Sequence, residues 1–425
     1  MHTTKRRKQM TQPIKKPVSS GHSRPPGSDD NPEGDVLGRA SAGPLAGVVV
    51  ADFSRVLAGP YATMLLADMG ATVIKVEGPE GDDTRTYMPP VRDGEATFFL
   101  AVNRNKHSIA LDLKDPEDLN VARSLIASAD VMIENFKPGN MARLGLDYAS
   151  AAELNPNIIY ASITGFGTGA GAHIPGYDLL VQAASGMMSL TGDQDSQPYR
   201  AGIALFDVIT GLHAAIGILG ALHHKDRTGE GQLVELNLLT SALSGMVNQS
   251  AAYVTGGVVP TRMGNEHPSM YPYAPMQTGD GTIIIATGND AQFVRLCEAL
   301  GIPGVARDPK FVTTLQRNAN RNELRGILHA QLASQSADEW FRELSSAGLP
   351  CAPIQDVRGG VELAEQLGLN PVVMAGDGPR KIPTVRHPVE YSLTPVDYSL
   401  APPGLNESSR LVREWLLHRK ALVDA

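Results

Sequence analysis

The residues best suited to covalent chemistry lie in Pro175-Gly-Tyr-Asp178-Leu-Leu-Val-Gln182-Ala183. Pro-Gly forces a turn, and Asp178 then stands where a helix begins. A carboxylate there is favoured by the helix dipole and by free backbone N–H groups. Gln182 falls one turn further along the same face. This pattern suits a nucleophilic carboxylate with an amide beside it. Asp is equally a common helix N-cap, and the residues alone leave both roles open.

Two other stretches carry concentrated charge. Asn103-Arg-Asn-Lys-His-Ser108 puts basic and polar groups just before an apolar run, as phosphate contacts would require. It could also be an ordinary charged loop. In Gly81-Asp-Asp-Thr-Arg85, Arg85 could pair with a phosphate or a substrate carboxylate, or form a surface ion pair. His213, His223 and His224 fall on a helical segment, but no His-Glu-x-x-His occurs, so no metal site is expected. There is also no Gly-x-Ser-x-Gly elbow and no Walker loop.

The elements that must position these groups read as α/β. Apolar runs near 48–51, 72–77, 108–113, 131–135 and 158–163 alternate with helical segments. That pattern implies a mainly parallel sheet covered on both faces. The first strand is followed by Asp-Phe-Ser-Arg-Val-Leu-Ala-Gly in place of the Gly-x-Gly-x-x-Gly of dinucleotide folds, so NAD is not expected. A helical stretch from 178 to about 225, broken near 191–202, follows. Later, Gly279-Asp-Gly281 predicts a hairpin turn into a strand at 282–286. A last helix is expected from about residue 406.

Composition sets the outer limits. The 425 residues are 42% hydrophobic and 19% charged, as in ordinary globular proteins. A net charge of −8 argues against nucleic-acid binding. Two distant cysteines, Cys297 and Cys351, predict neither a disulfide framework nor a cysteine zinc site, and suit a reducing cytoplasm. No apolar run reaches the roughly 18 residues of a membrane span, so no membrane partner is expected. Residues 1–43 nearly lack large apolar groups and predict a disordered, partly basic tail.

Several motifs in one order resemble the class III CoA-transferase family of the CaiB/BaiF type. They are Asp52-Phe-Ser-Arg-Val-Leu-Ala-Gly-Pro60, Asn103–Ser108, Glu134-Asn-Phe-Lys-Pro-Gly139, Ser162-Ile-Thr-Gly-Phe-Gly167, Gly176–Ala183 and Thr228-Gly-Glu-Gly-Gln232. Gly81–Thr86, Val102–Lys106 and Gly288–Phe293 look closest to the succinyl-CoA:glutarate branch. The resemblance implies that Asp178 is the nucleophile, forming a mixed anhydride and then an aspartyl-CoA thioester, and that Gln182 helps to stabilise the oxyanions. It implies no tightly bound cofactor, with coenzyme A arriving as substrate. Val56, Leu111, Lys114, Asn135, Phe136 and Arg143 are its implied contacts. Gly78 stands where some relatives carry a basic residue, so Arg55 or Arg104 is expected to take over part of the phosphate recognition. Arg85 or Arg262 would hold the distal carboxylate of a dicarboxylate acceptor. A glycine loop, Gly256-Gly257 or Gly264-Asn265, would exclude water.

The same resemblance implies an interlocked homodimer. Its large Rossmann-like domain would combine 44–225 with 345–425, and a smaller α+β domain would span 226–344. Two other functions compete. An α-methylacyl-CoA racemase needs a His upstream of the Asp, and His173 is too near Asp178 in sequence to match convincingly. A non-catalytic acyl-CoA-binding protein would not need both Asp178 and Gln182.

Overall fold

The computed structural model describes residues 42–423, together with Leu37. Leu37 is buried in an apolar cluster against the main sheet, so ordered packing reaches into the expected tail. Apart from Leu37, Ala42 and Gly43, that tail lies outside the described residues.

Six parallel strands form the main sheet: β1 (Val49–Asp52), β2 (Thr72–Glu77), β3 (Lys106–Ala110), β4 (Val131–Glu134), β5 (Ile159–Thr164) and β6 (Leu233–Asn237). Their order is β3-β2-β1-β4-β5-β6. The inner strands are apolar and buried on both faces, as parallel pairing under two helical layers demands. The third strand begins two residues earlier than the apolar run suggests. Lys106 and Ser108 therefore sit inside the sheet, where Asp52 and Glu77 partner them.

The covering helices include α1 (Ala58–Asp68), α2 (Pro116–Ser128), the short α3 (Asp178–Ala184) and the long α4 (Leu205–Thr228). Pro60 starts α1 well, since its missing N–H costs nothing in the first turn. Asp115 caps α2 by accepting from Glu117 N and Asp118 N. A Cβ at Gly211 of α4 would lie 2.7 Å from Ala58 O, so glycine there permits the close crossing of α1 and α4. By length and composition alone α4 could cross a membrane. It instead packs Ala214, Ile218, Ala221 and Leu222 into the sheet's core.

After β6 come α5 (Leu238–Gly245) and α6 (Val247–Val254). A second, antiparallel sheet contains β7 (Tyr273–Gln277), β8 (Thr282–Ala286) and β9 (Cys351–Pro353), in the order β9-β8-β7. It packs on α7 (Asp290–Ala299), α8 (Arg321–Leu332) and α9 (Ala337–Ser346) around Met276, Ile283, Phe293, Leu328 and Trp340. β6 lies past residue 225 and completes the main sheet, and β9 lies past residue 344 and belongs to the small one. The chain then returns, and α10 (Ser409–Val423) buries Val412, Trp415 and Leu416 against the layer holding α2.

A network of buried charge underlies the carboxyl ends of β1 and β2. Lys106 Nζ donates to Asp52 Oδ2 at 3.1 Å and to Pro60 O at 2.9 Å. Lys75 Nζ reaches Asp82 Oδ2 at 2.8 Å and Ser54 O at 3.0 Å. Burial works against each charged group, but the opposite charges and hydrogen bonds hold the Asp82 carboxyl down at about 2. Breaking such a pair on one side leaves an uncompensated charge. Lys106→Met should therefore lower stability by about 3–5 kcal/mol in urea unfolding. The double variant Asp52→Asn/Lys106→Met should recover more than half of that loss.

Candidate active site

Strand order reverses between β1 and β4, and the loops leaving their carboxyl ends open a crevice, as in other doubly wound sheets. One side-chain amide ties the two loops together. Asn135 Oδ1 accepts from Arg55 N at 2.9 Å, and Asn135 Nδ2 donates to Arg55 O at 2.8 Å. The next residue, Val56, has φ of +68°, which is costly for a β-branched side chain. Its N–H is held by the Asp82 carboxylate at 3.2 Å. The charge network beneath the sheet thus fixes the shape of this loop.

Two cavities flank a ridge of Arg55, Asp83 and Phe136. One, of about 300 Å³, is bounded by Val56, Asn135, Lys137, Gly165, Tyr177 and Asp207. The other, of about 370 Å³, is bounded by Gly78, Leu111, Lys114 and Leu144. A third, of about 340 Å³, lies beyond Phe136 and Lys137 and contains Glu134. Burial raises the Glu134 carboxyl above its ordinary value, against bonds from Ser162 and Phe136 N.

Asp178 is 8% exposed and does not itself line the first cavity; its chain neighbour Tyr177 and its hydrogen-bond partner Asp207 do. It is the first residue of α3, and its side chain does not cap that helix. Its Oδ1 instead accepts from Phe206 N at 2.7 Å and Asp207 N at 3.2 Å, the exposed donors at the start of α4. The α4 N-cap residue, Ala204, has no side chain able to do this. Gln182 Nε2 donates to Asp178 Oδ2 at 2.6 Å and is shared with Ile203 O at 3.1 Å. Gln182 Oε1 accepts from Ala201 N at 2.8 Å, and the side chain is fully buried. Gln182 therefore positions the carboxylate; its amide donors are taken, and it does not face the cavity as an oxyanion donor.

The approach to Asp178 is set by two glycines. A Cβ at Gly165 would fall 2.3 Å from Gly176 Cα, and one at Gly176 would fall 2.8 Å from Gly165 Cα. Only bare backbones can cross this closely, and the crossing places residue 178 over the end of β5. Asp207 is the other site residue that sequence reasoning missed. Burial, then the neighbouring Asp178 charge, pushes its carboxyl up to about 7. An acid in a helix's first turn is too common to stand out in sequence. His173 also lies in the wall of the first cavity, on the exposed approach to α3.

Of the predicted contacts, the fold gathers Arg55, Val56, Asn135 and Phe136 around the first cavity. Leu111 and Lys114 join Arg55 and Phe136 around the second. Four arginines border neither. Arg104 is 2% exposed and its guanidinium is bound to Asp68 and Thr384, so it holds α1 to the C-terminal segment and is not free for phosphate. Arg85 makes two 2.7 Å bonds to Glu77 and lies 3.6 Å over the Phe99 ring, which neutralises it as a carboxylate receptor. Arg143 is exposed and bonds Asn140 on its own helical turn. Arg262 is half-buried beside Ser189 O. Gly256 and Gly257 end α6 through bonds to Ala251 O and Tyr253 O, and Gly264 N bonds Gly192 O; none borders the described cavities. Among the described residues, no group of acidic, His and Cys side chains could hold a metal.

A doubly wound sheet with a sequestered carboxylate near its switch-point crevice is the frame of an α/β enzyme. Residues 45–409 match the model of CoA-transferase family III, and the chain belongs to that family. It is a class III CoA-transferase, exchanging coenzyme A between an acyl-CoA and a carboxylic acid. It is 44% identical to a succinate–glutarate CoA-transferase of Agrobacterium fabrum, over 86% of this chain and 93% of that one. It is 39% identical to succinyl-CoA:glutarate CoA-transferase of Mus musculus, over 90% and 88%. A CaiB/BaiF family protein from Brucella suis superposes with a TM-score of 0.79 at 40% identity, covering 88% of this chain and 99% of that one.

The glycine crossing yields one test. Gly165→Ala should displace Asp178 and lower kcat/KM about a hundredfold, the usual cost of roughly 1 Å of misplacement. Steady-state kinetics checks this. A second test separates structure from binding. Arg104→Met should cost about 3–5 kcal/mol in chemical unfolding and leave KM for the CoA thioester unchanged.

Proposed function

We propose that this enzyme transfers coenzyme A from succinyl-CoA to glutarate or a similar short dicarboxylate, through covalent intermediates on Asp178. The observation that carries this reading is the Asp178 carboxylate, held by three hydrogen bonds beside the first cavity. A carboxylate offers about four lone-pair sites, so one is left for attack.

In the first step an Asp178 oxygen attacks the thioester carbonyl. The C–S bond breaks, CoA leaves as thiolate, and a mixed anhydride remains. The thiolate attacks the aspartyl carbonyl, expelling the donor acid as carboxylate and leaving an aspartyl-CoA thioester. The acceptor carboxylate then repeats the first displacement. A final thiolate attack on the acceptor carbonyl restores Asp178. Division into such steps is what covalent catalysis supplies. Both intermediates are open to water, so a closed cavity favours transfer over hydrolysis.

The two cavities suit the two ends of the cofactor-like substrate. The nucleotide fits the second cavity, beside Leu111 and Lys114, and the pantetheine arm crosses the Arg55–Phe136 ridge toward Asp178. Arg55 stacks over Phe136 at 5.6 Å, giving that ridge both a cation and an apolar face. Of the two arginines expected to receive a distal carboxylate, Arg85 is committed to Glu77. Arg262 has a buried Nε without a hydrogen-bond partner but borders neither cavity, so the receptor for the distal carboxylate is left unassigned.

An obligate homodimer accompanies this reading. Leu212, Ile216, Leu243, Val247, Tyr253 and Val254 leave an apolar surface along α4, α5 and α6, of the kind that subunits cover. We place the enzyme in the cytoplasm, where its two free thiols would stay reduced.

Incubation with succinyl-CoA followed by hydroxylamine should yield a hydroxamate that maps to Asp178 by mass spectrometry. Asp178→Ala should abolish that adduct and lower turnover by roughly four orders of magnitude or more. Label mapping elsewhere, or undiminished turnover in the variant, overturns the mechanism. A racemase would wash deuterium into the α-carbon of a branched acyl-CoA, and none is expected. Light scattering at micromolar concentration should return the mass of two chains.

A further inference from the structure

We infer that Asp207, as a neutral carboxylic acid, donates the hydrogen bond that steadies the oxyanions formed when Asp178 is acylated and released. This deepens the aspartyl-intermediate reading above and rests on it.

The geometry singles this residue out. Gln182 is sealed off and its donors are spent. Phe206 N and Asp207 N already bond one oxygen of Asp178 in the resting state. The Asp207 side chain is half-buried in the wall of the first cavity, one residue past Phe206 on α4. Asp207 lines the same cavity as Tyr177, the residue before Asp178, and its own N–H bonds the Asp178 carboxylate, so a thioester reaching Asp178 from this cavity passes beside it. Each tetrahedral intermediate places a new negative oxygen there, and a preorganised donor in a secluded site is the usual remedy.

Charge decides which form of Asp207 can serve. The ionised form would put a second negative charge beside Asp178, against an incoming carboxylate and a departing thiolate. The protonated form offers a donor and no charge. Its carboxyl is held up at about 7 by burial and by Asp178, so the neutral form predominates below neutrality. The other titratable groups around it are Asp178 on α3 and, on the approach to α3, His173 and Tyr177. Across the cavity stand Arg55, Asp83, Tyr87 and Lys137. His173 is the one to control for, because histidine as a residue type can change charge near neutrality.

Loss of the proton should remove the donor and add repulsion. Wild-type kcat/KM should therefore fall about tenfold per pH unit above roughly 7. Asp207→Asn, a neutral donor of similar shape, should lower kcat/KM about tenfold at pH 6 and remove the alkaline fall. Asp207→Ala should lose about a hundredfold at pH 6. His173→Gln should retain the alkaline fall. The role of Asp207 is overturned if Asp207→Asn keeps the wild-type profile, if Asp207→Ala matches wild type, or if His173→Gln abolishes the fall. Hydroxylamine trapping in the same samples separates the two claims. A wild-type adduct at Asp178 with any of those results removes Asp207 alone; no wild-type adduct overturns the covalent route and the donor role together.

Discussion

The bond between the Asp178 carboxylate and the first amides of α4 joins the parts that matter most in this molecule. A long helix begins with donors that nothing in its own sequence satisfies, because Ala204 cannot cap it. A carboxylate delivered from α3 completes that helix start. The same contact fixes the carboxylate's orientation and leaves one lone-pair direction open. On the proposed mechanism stability and reactivity share one hydrogen-bonded pair, and Gln182 holds the second oxygen.

That contact works only because the sheet delivers its pieces to one place. The strand order is that of a dinucleotide fold, yet the first turn lacks the glycine fingerprint. In its place, Lys75 and Asp82 hold Val56 in a left-handed conformation and Asn135 stitches the two switch-point loops together. Buried charge here sets loop shape. It does so at a desolvation cost, which the pairing and hydrogen bonds offset.

The charged motif at 103–108 shows how composition can mislead. Basic and polar residues before a strand suggest phosphate, and three of these side chains are instead consumed inside the protein. Arg104 and Asn105 bind Asp68, and Lys106 binds Asp52. Arg85 follows the same pattern with Glu77. In each case the acidic partner lies 8 to 54 residues away in sequence, so local spacing carried no sign of it.

Chain order and residue type alone determined the α/β alternation, the parallel sheet and the turn before Asp178, whereas Arg55, Val56, Asn135 and Phe136 were singled out only by the resemblance to CoA-transferases. The first three depend on short-range periodicity and on turn chemistry, which are written locally. Only tertiary structure decided which charges were free. It also decided that Asp178 caps a helix 28 residues further on, that Gly165 and Gly176 cross, and that Asp207 stands in the cavity. The reason is physical: solvation and charge pairing depend on neighbours in space, and folding brings those neighbours from distant parts of the chain.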